Sequence, residues 1–328
     1  MEADILDCGK NRFRKPALTP HLRARWSLVA AVATMVAWGM NFAFVKYVLD
    51  YLGVGAFMFL RFSVLPVLGL ALLVLVFRRR IAQTWPRRAD LPRFVLCAFV
   101  GHVVHISAVM YGMNLSTAFS SSLVLTCQPL FTLAILAWLG AERLRRQQIV
   151  GTLVAFAGIV IFLADKFAAG FSRAGLGDLT LLVAGASFSA YTVLSRPLAD
   201  RYGPLIVLSY TLLFSMPVML ALTLPFFAEL KATSLGPAVW AALFWALVVC
   251  SFCGWLVWTW VNSVRGVARS APFMYLMPPV AGVMAWLTLG ETFTWLKILG
   301  AAITMAGVAW AQFAGGPPPK EAGQPDSA

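Results

Sequence analysis

Apolar stretches of about twenty residues recur along the whole chain and are separated by short polar breaks. An α-helix of that length crosses the roughly 30 Å of hydrocarbon in a bilayer. Of the 328 residues, 60% are hydrophobic and 12% are charged, an apolar excess that a single soluble core cannot bury. We therefore predict an all-α integral membrane protein with ten transmembrane helices, at residues 27–47, 56–77, 92–112, 119–139, 147–164, 177–195, 204–225, 237–260, 268–289 and 295–313.

The basic residues between these spans predict how the chain is oriented. The formal net charge is +13, and Lys and Arg of a multi-pass protein are retained on the cytoplasmic side. Of the 26 Lys and Arg residues, twenty fall on one predicted side, four on the other and two within spans. Both termini are therefore expected in the cytoplasm, as an even number of crossings requires, with the protein in the inner (plasma) membrane. Orientation accounts for the basic side, so a nucleic-acid partner is not expected.

An internal repeat relates the two halves of the chain. The stretch "GAERLRRQQIVGTLVAFAGIV" is followed about one half-chain later by the similar "GETFTWLKILGAAITMAGVA". Because each half holds five spans, the second copy enters the membrane from the opposite face, and the arginines beside the first glutamate are lost with the change of side. Inverted repeats are typical of secondary transporters, and chance similarity between apolar segments is the alternative. At an offset of 149 residues, the matched pairs are Ser121 and Ser270, Pro129 and Pro278, Glu142 and Glu291, Gly151 and Gly300, Ala157 and Ala306, and Gly158 and Gly307.

The repeat divides the chain into two membrane-embedded halves and three shorter segments. The final segment, "GGPPPKEAGQPDSA", has a composition typical of disorder. The predicted regions are a basic cytoplasmic amino-terminal arm (1–25), a first five-helix repeat (26–164), a connecting loop (165–176), a second, inverted five-helix repeat (177–313) and a disordered cytoplasmic tail (314–328).

Several segments together resemble a known family. They are "WGMNFAFVK", "LRFSVLP", "QPLFTLAILAWLGAERL", "GTLVAFAGIVIF" and "YTVLSRPL". From about Trp26 to Phe313 the chain resembles the EamA-type carriers of the drug/metabolite transporter superfamily. The resemblance implies a bundle of two inverted five-helix repeats, a central cavity lined mainly by helices 1, 3, 4, 6, 8 and 9, and export of amino acids or other small metabolites. The chain departs from common members at Phe188 and Ser189 and at "GHVVHI" in the third span.

Two residues of the first span are the leading candidates for substrate binding. A charged side chain at the centre of a membrane helix costs about 2–3 kcal/mol, and polar residues within spans are therefore expected to face a cavity or a partner. Asn41 lies in an otherwise apolar run, with Trp38 three residues earlier on roughly the same face. An amide can donate to a carboxylate and accept from an amine, while an indole supplies a flat apolar wall. The alternative role for Asn41 is an interhelical hydrogen bond.

Two cations lie near the predicted outer ends of the first two spans. Lys46 follows Asn41 in the first span, and Arg61 lies early in the second, within the segment that carries the family resemblance. Each can attract an anionic group. Snorkelling of the charged head to the membrane interface is the alternative for both.

The fourth and ninth spans carry polar residues and prolines at matching positions. Proline removes a backbone donor and disturbs the preceding turn, which frees carbonyls where the backbone lines a cavity. Two broken helices in symmetric positions point to a binding site, and a structural kink without ligand contact is the alternative. The predicted substrate-binding residues are Ser121, Thr126, Gln128 and Tyr275, and the predicted helix breaks are Pro129, Pro278 and Pro279.

His102 and His105 are the most unusual residues of the third span. Their spacing of three predicts a common helix face, and both are included among the substrate-binding candidates. Because no Asp or Glu lies deep within a predicted span, a proton relay would fall to these histidines. A structural pair is the alternative. Together with Cys250 and Cys253 of the eighth span, the two histidines are the residue types that bind zinc. No metal site is predicted, because nothing in the sequence shows that the four residues converge.

Tyr191 of the sixth span and Trp258 of the eighth complete the predicted substrate-binding set. Trp258 lies three residues after Trp255, so the two indoles can wall a cavity, and an interfacial aromatic belt is the alternative. The five cysteines are odd in number and none falls in a predicted outside loop, so no disulfide framework is expected.

The sequence predicts a carrier and not an enzyme. It holds no HExxH or GxSxG motif and no buried acid, and no cofactor is expected. We predict a secondary transporter with alternating access that exports a small metabolite, such as an amino acid or a related compound. The alternatives are efflux of amphipathic or toxic compounds and a non-transporting sensor or scaffold. The expected partners are a small-molecule substrate and the lipid bilayer. Formation of a homodimer is an alternative that the sequence leaves undecided.

Overall fold

The computed structural model describes residues 20–139, 146–168, 173–230 and 235–313, and all regular structure in them is helical. Glu142 and the predicted tail lie outside these residues, and so does the predicted amino-terminal arm except for residues 20–25. The helices before residue 169 are α1 (Pro20–Leu49), α2 (Val54–Phe77), α3 (Leu91–Ala98), a π-helical segment π1 (Phe99–Val104), α4 (His105–Leu115), α5 (Ala118–Leu125), α6 (Gln128–Trp138) and α7 (Arg146–Ala168), with a short 3-10 helix at Arg78–Thr84.

The second half repeats this order of elements. α3, π1 and α4 form one continuous helix, and their counterparts in the second half do the same. The helices are α8 (Arg173–Tyr202), α9 (Pro204–Thr223), α10 (Pro237–Phe244), a second π-helical segment π2 (Trp245–Gly254), α11 (Trp255–Arg265), α12 (Val267–Ser270), α13 (Met277–Leu289) and α14 (Trp295–Phe313), with 3-10 helices at Leu224–Glu229 and Ala271–Leu276.

The described helices are those of a multi-pass membrane protein. Seven of them are long and apolar enough to cross a membrane. Three shorter apolar helices, Ile149–Phe162, Phe273–Leu289 and Trp295–Trp310, coincide with the fifth, ninth and tenth predicted spans. Large apolar side chains such as Trp138, Trp286 and Leu75 are exposed on the outer surface, where hydrocarbon replaces a protein partner.

Helices α7 and α14 pack against each other through small residues. A Cβ atom on Gly158 would lie 2.4 Å from the backbone nitrogen of Thr304, and one on Gly307 would lie 2.4 Å from that of Ala155. Gly300 faces Phe162 equally closely. As residue numbers rise along α7 they fall along α14, so the two helices are antiparallel. Glycine and alanine permit this close approach because they carry little or no side chain.

The remaining helices enclose the centre of the bundle. α4 packs on α8, α1 packs on π2 and α11, and α2 packs on α9. α6 begins at Gln128 and α13 begins at Met277, each with proline as its second residue, so that both helix starts fall at the repeat offset. The two π-helical segments, which no sequence pattern predicted, also overlap at that offset. A π-helical turn is rare and leaves local carbonyl groups free for other donors.

Candidate functional site

A cavity of about 620 Å³, its open mouth included, lies at the centre of the bundle. Its walls come from both halves of the chain and are mainly aromatic and aliphatic. Four polar side chains, a guanidinium, two amides and an imidazole, interrupt this lining together with a serine. The lining residues are Trp38, Asn41, Phe42, Arg61, His105, Ile106, Val109, Met110, Met113, Leu125, Gln128, Phe188, Cys250, Ser251, Trp255 and Met277.

Arg61 places a positive charge in this cavity. Its side chain extends from α2 and is 3% exposed, and its Nη1 donates to Oγ of Ser251. The Ser251 hydroxyl donates in turn to the carbonyl of Ala246 at 2.6 Å, five residues earlier in π2, which leaves its lone pair for the guanidinium. Nε of Arg61 has no hydrogen-bond partner, and none of the described carboxylates forms a salt bridge with it. The snorkelling interpretation of Arg61 is therefore wrong, and the cavity contains a cation without a counter-ion.

Asn41 and Trp38 form the α1 wall of the cavity. Oδ1 of Asn41 is buried and has no hydrogen-bond partner in the described chain, so the interhelical bond considered from the sequence is not formed there. Nε1 of Trp38 donates to the carbonyl of Cys250 at 2.9 Å. Gly254 makes room for this indole, because a Cβ there would lie 2.5 Å from the same nitrogen. Asn41 and Arg61 thus both line the cavity, and each has one buried polar atom without a hydrogen-bond partner in the described residues.

The two histidines have different surroundings. His105 lines the cavity, and its Nδ1 donates to the carbonyl of Ala184 at 2.8 Å, which leaves Nε2 without a protein partner in the described residues. His102 lies outside the cavity lining, with Nε2 3.0 Å from Oγ1 of Thr211. Both rings contact Trp255, at centroid distances of 4.8 Å and 5.8 Å. They therefore share an aromatic neighbour, whereas their hydrogen bonds reach different helices, α9 for His102 and α8 for His105.

The described residues do not form the metal site that was weighed from the sequence. Among them, no group of three or more His, Cys, Asp or Glu side chains could hold a metal ion. Sγ of Cys250 lies 3.4 Å from the carbonyl of Ala37, and Cys253 is exposed.

The other predicted site residues are spread over the bundle. Gln128 lines the central cavity, whereas Ser121 and Thr126 are buried and donate to carbonyls four residues earlier in the chain. Tyr275 packs in a separate apolar cluster that includes Cys127 and Leu130. Pro129 and Pro278 are buried at the starts of α6 and α13, and Pro279 is exposed on α13. Tyr191 and Trp258 line a second, smaller pocket.

The second pocket, of about 250 Å³, lies between α8 and α11. Aromatic rings separate it from the central cavity. The ring centroids of Trp38 and Trp258 are 5.9 Å apart, and those of Tyr191 and Trp255 are 5.0 Å apart. Trp255 and Trp258 are only 6% and 3% exposed, so the aromatic-belt interpretation is wrong for both. The lining residues are Tyr191, Thr192, Ser195, Arg196, Ala199, Trp258, Thr259, Asn262 and Ser263.

Three charged side chains hold the linker between α4 and α5, and we call this set the linker clamp. Nζ of Lys46 donates to the carbonyls of Met113 at 2.8 Å, Asn114 at 3.2 Å and Ser116 at 2.7 Å. Asp178, 1% exposed, accepts from Ser116 at 2.6 Å and Ser120 at 2.8 Å. The prediction that the chain holds no buried acid is therefore wrong at this residue. Glu291 accepts from the backbone N–H groups of Ala118 at 2.7 Å and Phe119 at 3.4 Å, where the positive end of α5 favours a carboxylate.

The opposite end of the bundle has an ion pair of its own. Asp90 accepts from the hydroxyl of Tyr202 at 2.5 Å and from Nη1 of Arg201 at 2.7 Å. These bonds from Tyr202 and Arg201 lower the pKa of the Asp90 carboxyl below its ordinary value of 3.8.

Comparison with known proteins assigns this architecture to a family. A solved structure with a TM-score of 0.63 and 17% identity covers 88% of this chain and 96% of its own, which supports the fold. A probable terminal-alkyne amino-acid exporter of Streptantibioticus cattleyicolor is 30% identical over 87% of this chain and 92% of its own length. A probable amino-acid metabolite efflux pump of Salmonella typhimurium is 26% identical over 85% and 92%. The model of the EamA-like transporter family matches residues 25–164 and 175–312, and the chain belongs to that family.

Proposed function

We propose that the protein is a secondary transporter that exports an α-amino acid with an apolar side chain. One observation carries this proposal: the central cavity is lined by a buried guanidinium with no counter-ion among the described residues, and by an asparagine whose amide oxygen is unpaired. A buried charge without a partner is costly, so the site favours a ligand that supplies the missing negative group.

The polar groups of the cavity match the two charges of an amino acid. Arg61 presents free N–H groups to a carboxylate, which a guanidinium binds bidentately, and Ser251 fixes its orientation. Oδ1 of Asn41 accepts from an ammonium group. Trp38, Phe188 and the methionines of the cavity then contact an apolar side chain. The names of the two relatives, a probable terminal-alkyne amino-acid exporter and a probable amino-acid metabolite efflux pump, agree with this chemistry.

Ten crossings in two inverted repeats are part of the same proposal. The Gly158–Thr304 approach becomes the Gly307–Ala155 approach when each residue is exchanged for its repeat mate, as a two-fold axis perpendicular to α7 and α14 requires. The paired helix starts and π-helical segments support the same relation. The family model also matches the chain in two stretches, one for each half.

Transport then proceeds by alternating access around the cavity. The two halves rock against each other, and substrate bound near the midplane is exposed first to one side and then to the other. The linker clamp closes the end of the bundle that contains the linker between α4 and α5. The distribution of Lys and Arg indicates that this end faces away from the cytoplasm. We accordingly expect both termini on the cytoplasmic side of the membrane.

The decisive experiment is a flux measurement with the purified protein in liposomes. The twenty amino acids and L-propargylglycine, a terminal-alkyne amino acid, are loaded and their efflux is followed by mass spectrometry. We expect zwitterions with apolar side chains to leave fastest and Arg61→Met to abolish this selectivity. Arg93→Met, which removes an exposed cation of α3, is the matched control. Flux of amphipathic drugs without flux of any amino acid would replace this function by general efflux, and no flux at all would favour a non-transporting role.

A further inference from the structure

His105 lines the central cavity but has no role in the proposed function. It begins α4, directly after π1, and it belongs to the segment "GHVVHI" that distinguishes this chain from common members of the family. The side chain is 6% exposed, so the groups around the imidazole decide which of its two nitrogens can act on a substrate.

The hydrogen bond to α8 fixes the tautomer of this ring. A carbonyl oxygen can only accept, so the 2.8 Å contact between Nδ1 of His105 and the carbonyl of Ala184 requires a proton on Nδ1. Arg61 lies within electrostatic range of the ring, and a second proton would create two like charges in one buried cavity. The described carboxylates form no salt bridge with either group. The ring is therefore neutral, and its Nε2 carries a lone pair.

This lone pair is available at the surface of the cavity. Nε2 of His105 has no hydrogen-bond partner among the described residues and is not enclosed, in contrast to Oδ1 of Asn41 and Nε of Arg61. The guanidinium of Arg61 only donates, whereas the amides of Asn41 and Gln128 both donate and accept. Nε2 of His105 is therefore the one nitrogen of the described lining that can only accept.

Aromatic rings lie beside this acceptor. The ring centroid of His105 is 5.0 Å from that of Phe188 and 5.8 Å from that of Trp255, and both of these side chains line the cavity. Aromatic faces attract cations. No Asp or Glu is among the described residues that line the cavity, so a ligand cation finds no carboxylate there. A lone pair beside two aromatic rings is thus the feature of this lining that favours an ammonium group.

We propose that Nε2 of His105 accepts a hydrogen bond from the ammonium group of the exported amino acid while Arg61 binds its carboxylate. This proposal rests on the proposed function and deepens it, because it names a residue that recognises the amine. A carboxylate that lacks the amine leaves the lone pair of Nε2 without a donor, and a site built for a hydrogen bond rejects a ligand that cannot form it. His105 therefore makes the cavity selective for amino acids over simple carboxylic acids.

Two substitutions at this position separate a role in binding from a role in structure. Asparagine can place its amide nitrogen where Nδ1 lies, so His105→Asn keeps a donor for the carbonyl of Ala184 but has no atom at the position of Nε2. Glutamine is longer, so His105→Gln can place an amide oxygen at the position of Nε2. Ser215→Ala is the control, because Ser215 is buried on α9 outside the cavity lining and bonds only within its own helix.

The two probes are the apolar amino acid that the wild type exports fastest and the carboxylate of the same carbon skeleton without the amine, which for L-propargylglycine is 4-pentynoate. Calorimetry with the purified protein gives the Kd of each probe, and efflux from liposomes gives the KM of the amino acid. In His105→Asn, we expect both constants of the amino acid to rise on the order of tenfold, because a hydrogen bond to a charged group is lost. The Kd of the carboxylate should stay within about twofold, and His105→Gln should recover most of the lost affinity.

Three results would overturn the proposal. The first is that His105→Asn, compared with Ser215→Ala, weakens binding of both probes equally or of neither. The second is a wild-type protein that binds both probes equally tightly, a measurement that decides even if neither variant at His105 folds. The third is efflux that a pH gradient drives in the wild type but not in His105→Gln, which assigns Nε2 to a transported proton. Amino-acid efflux by the wild type continues in all three cases, so the proposed function survives; its own failure is the absence of that efflux.

Discussion

Replacing Arg61 by methionine tests the central claim, because transport and stability should change in opposite directions. Methionine keeps the length and the apolar stem of the side chain but removes the guanidinium that meets Ser251. If a substrate carboxylate neutralises this buried cation, the variant loses a charge-assisted pair. The free protein, by contrast, loses an uncompensated buried charge and should become more stable.

The magnitude follows from how buried the pair would be. Breaking a fully buried ion pair costs about 3–5 kcal/mol, and the open mouth of this cavity reduces that value to about 2–3 kcal/mol. Since every 1.4 kcal/mol is a factor of ten, the KM for efflux should rise by roughly 30- to 150-fold. Arg61→Lys keeps the charge but not the bidentate geometry, and we expect a rise of about fivefold.

Liposome flux gives the KM, and thermal unfolding of the detergent-solubilised protein gives the stability. The expected outcome is a large rise in KM together with a higher melting temperature for Arg61→Met. The reasoning is refuted if the KM stays within about twofold of the wild type, or if the melting temperature falls as far as it does for a core defect. Impaired transport together with a lower melting temperature would make Arg61 a structural residue that holds α2 to π2.

Other perturbations have equally definite outcomes. Gly158→Ala should lower the melting temperature by the equivalent of about 1–3 kcal/mol, because its new Cβ meets the Thr304 backbone, whereas Gly175→Ala, with nothing within 4 Å, should not lower it. The carboxyl of Asp90 has a lowered pKa, so its contribution to stability is complete above pH 3.8 and is lost as the pH falls through the lower folded value; Asp90→Asn should flatten this part of the stability curve. Lys46→Met should open the linker clamp: a net loss of about 2 kcal/mol lowers the ratio of closed to open protein by about thirtyfold, and labelling of the cavity residue Cys250 by a membrane-impermeant maleimide should accelerate. Equal labelling rates in wild type and variant would exclude Lys46 from closure.

The lengths of the helices were predictable where apolar runs end at glycine or proline. The seventh predicted span, 204–225, agrees closely with α9, Pro204–Thr223, because Gly203 and Pro204 mark its start. The sixth, 177–195, is shorter than α8, Arg173–Tyr202. Hydropathy ends a span at the first charged residue, but the backbone hydrogen bonds of a helix continue beyond the hydrocarbon into the aqueous phase.

A residue that lines the cavity can be predicted from sequence only when its distance from the ends of its span also determines where its side chain lies. Asn41 and Gln128 are short amides within apolar runs, and both line the cavity. Arg61 was placed near the interface by its position along the second span, but a long side chain can carry its charge several ångströms from its Cα atom. The predicted substrate-binding set contains Trp258 and not Trp255, because no sequence pattern distinguishes the two. The π-helical segments decide which face each residue presents, and they have no sequence signature.

The π-helical segments also bear on how the cavity changes its chemistry during transport. A π-helical turn is an α-helix with one surplus residue, and that residue can migrate along the helix as carbonyls exchange partners. Each step rotates the side chains it passes by about 100°, while both ends of the helix stay where they are. His102 and Ser251 both lie within such segments. Each half of the described bundle therefore contains one π-helical segment, and a shift of its surplus residue would present a different side chain to the cavity.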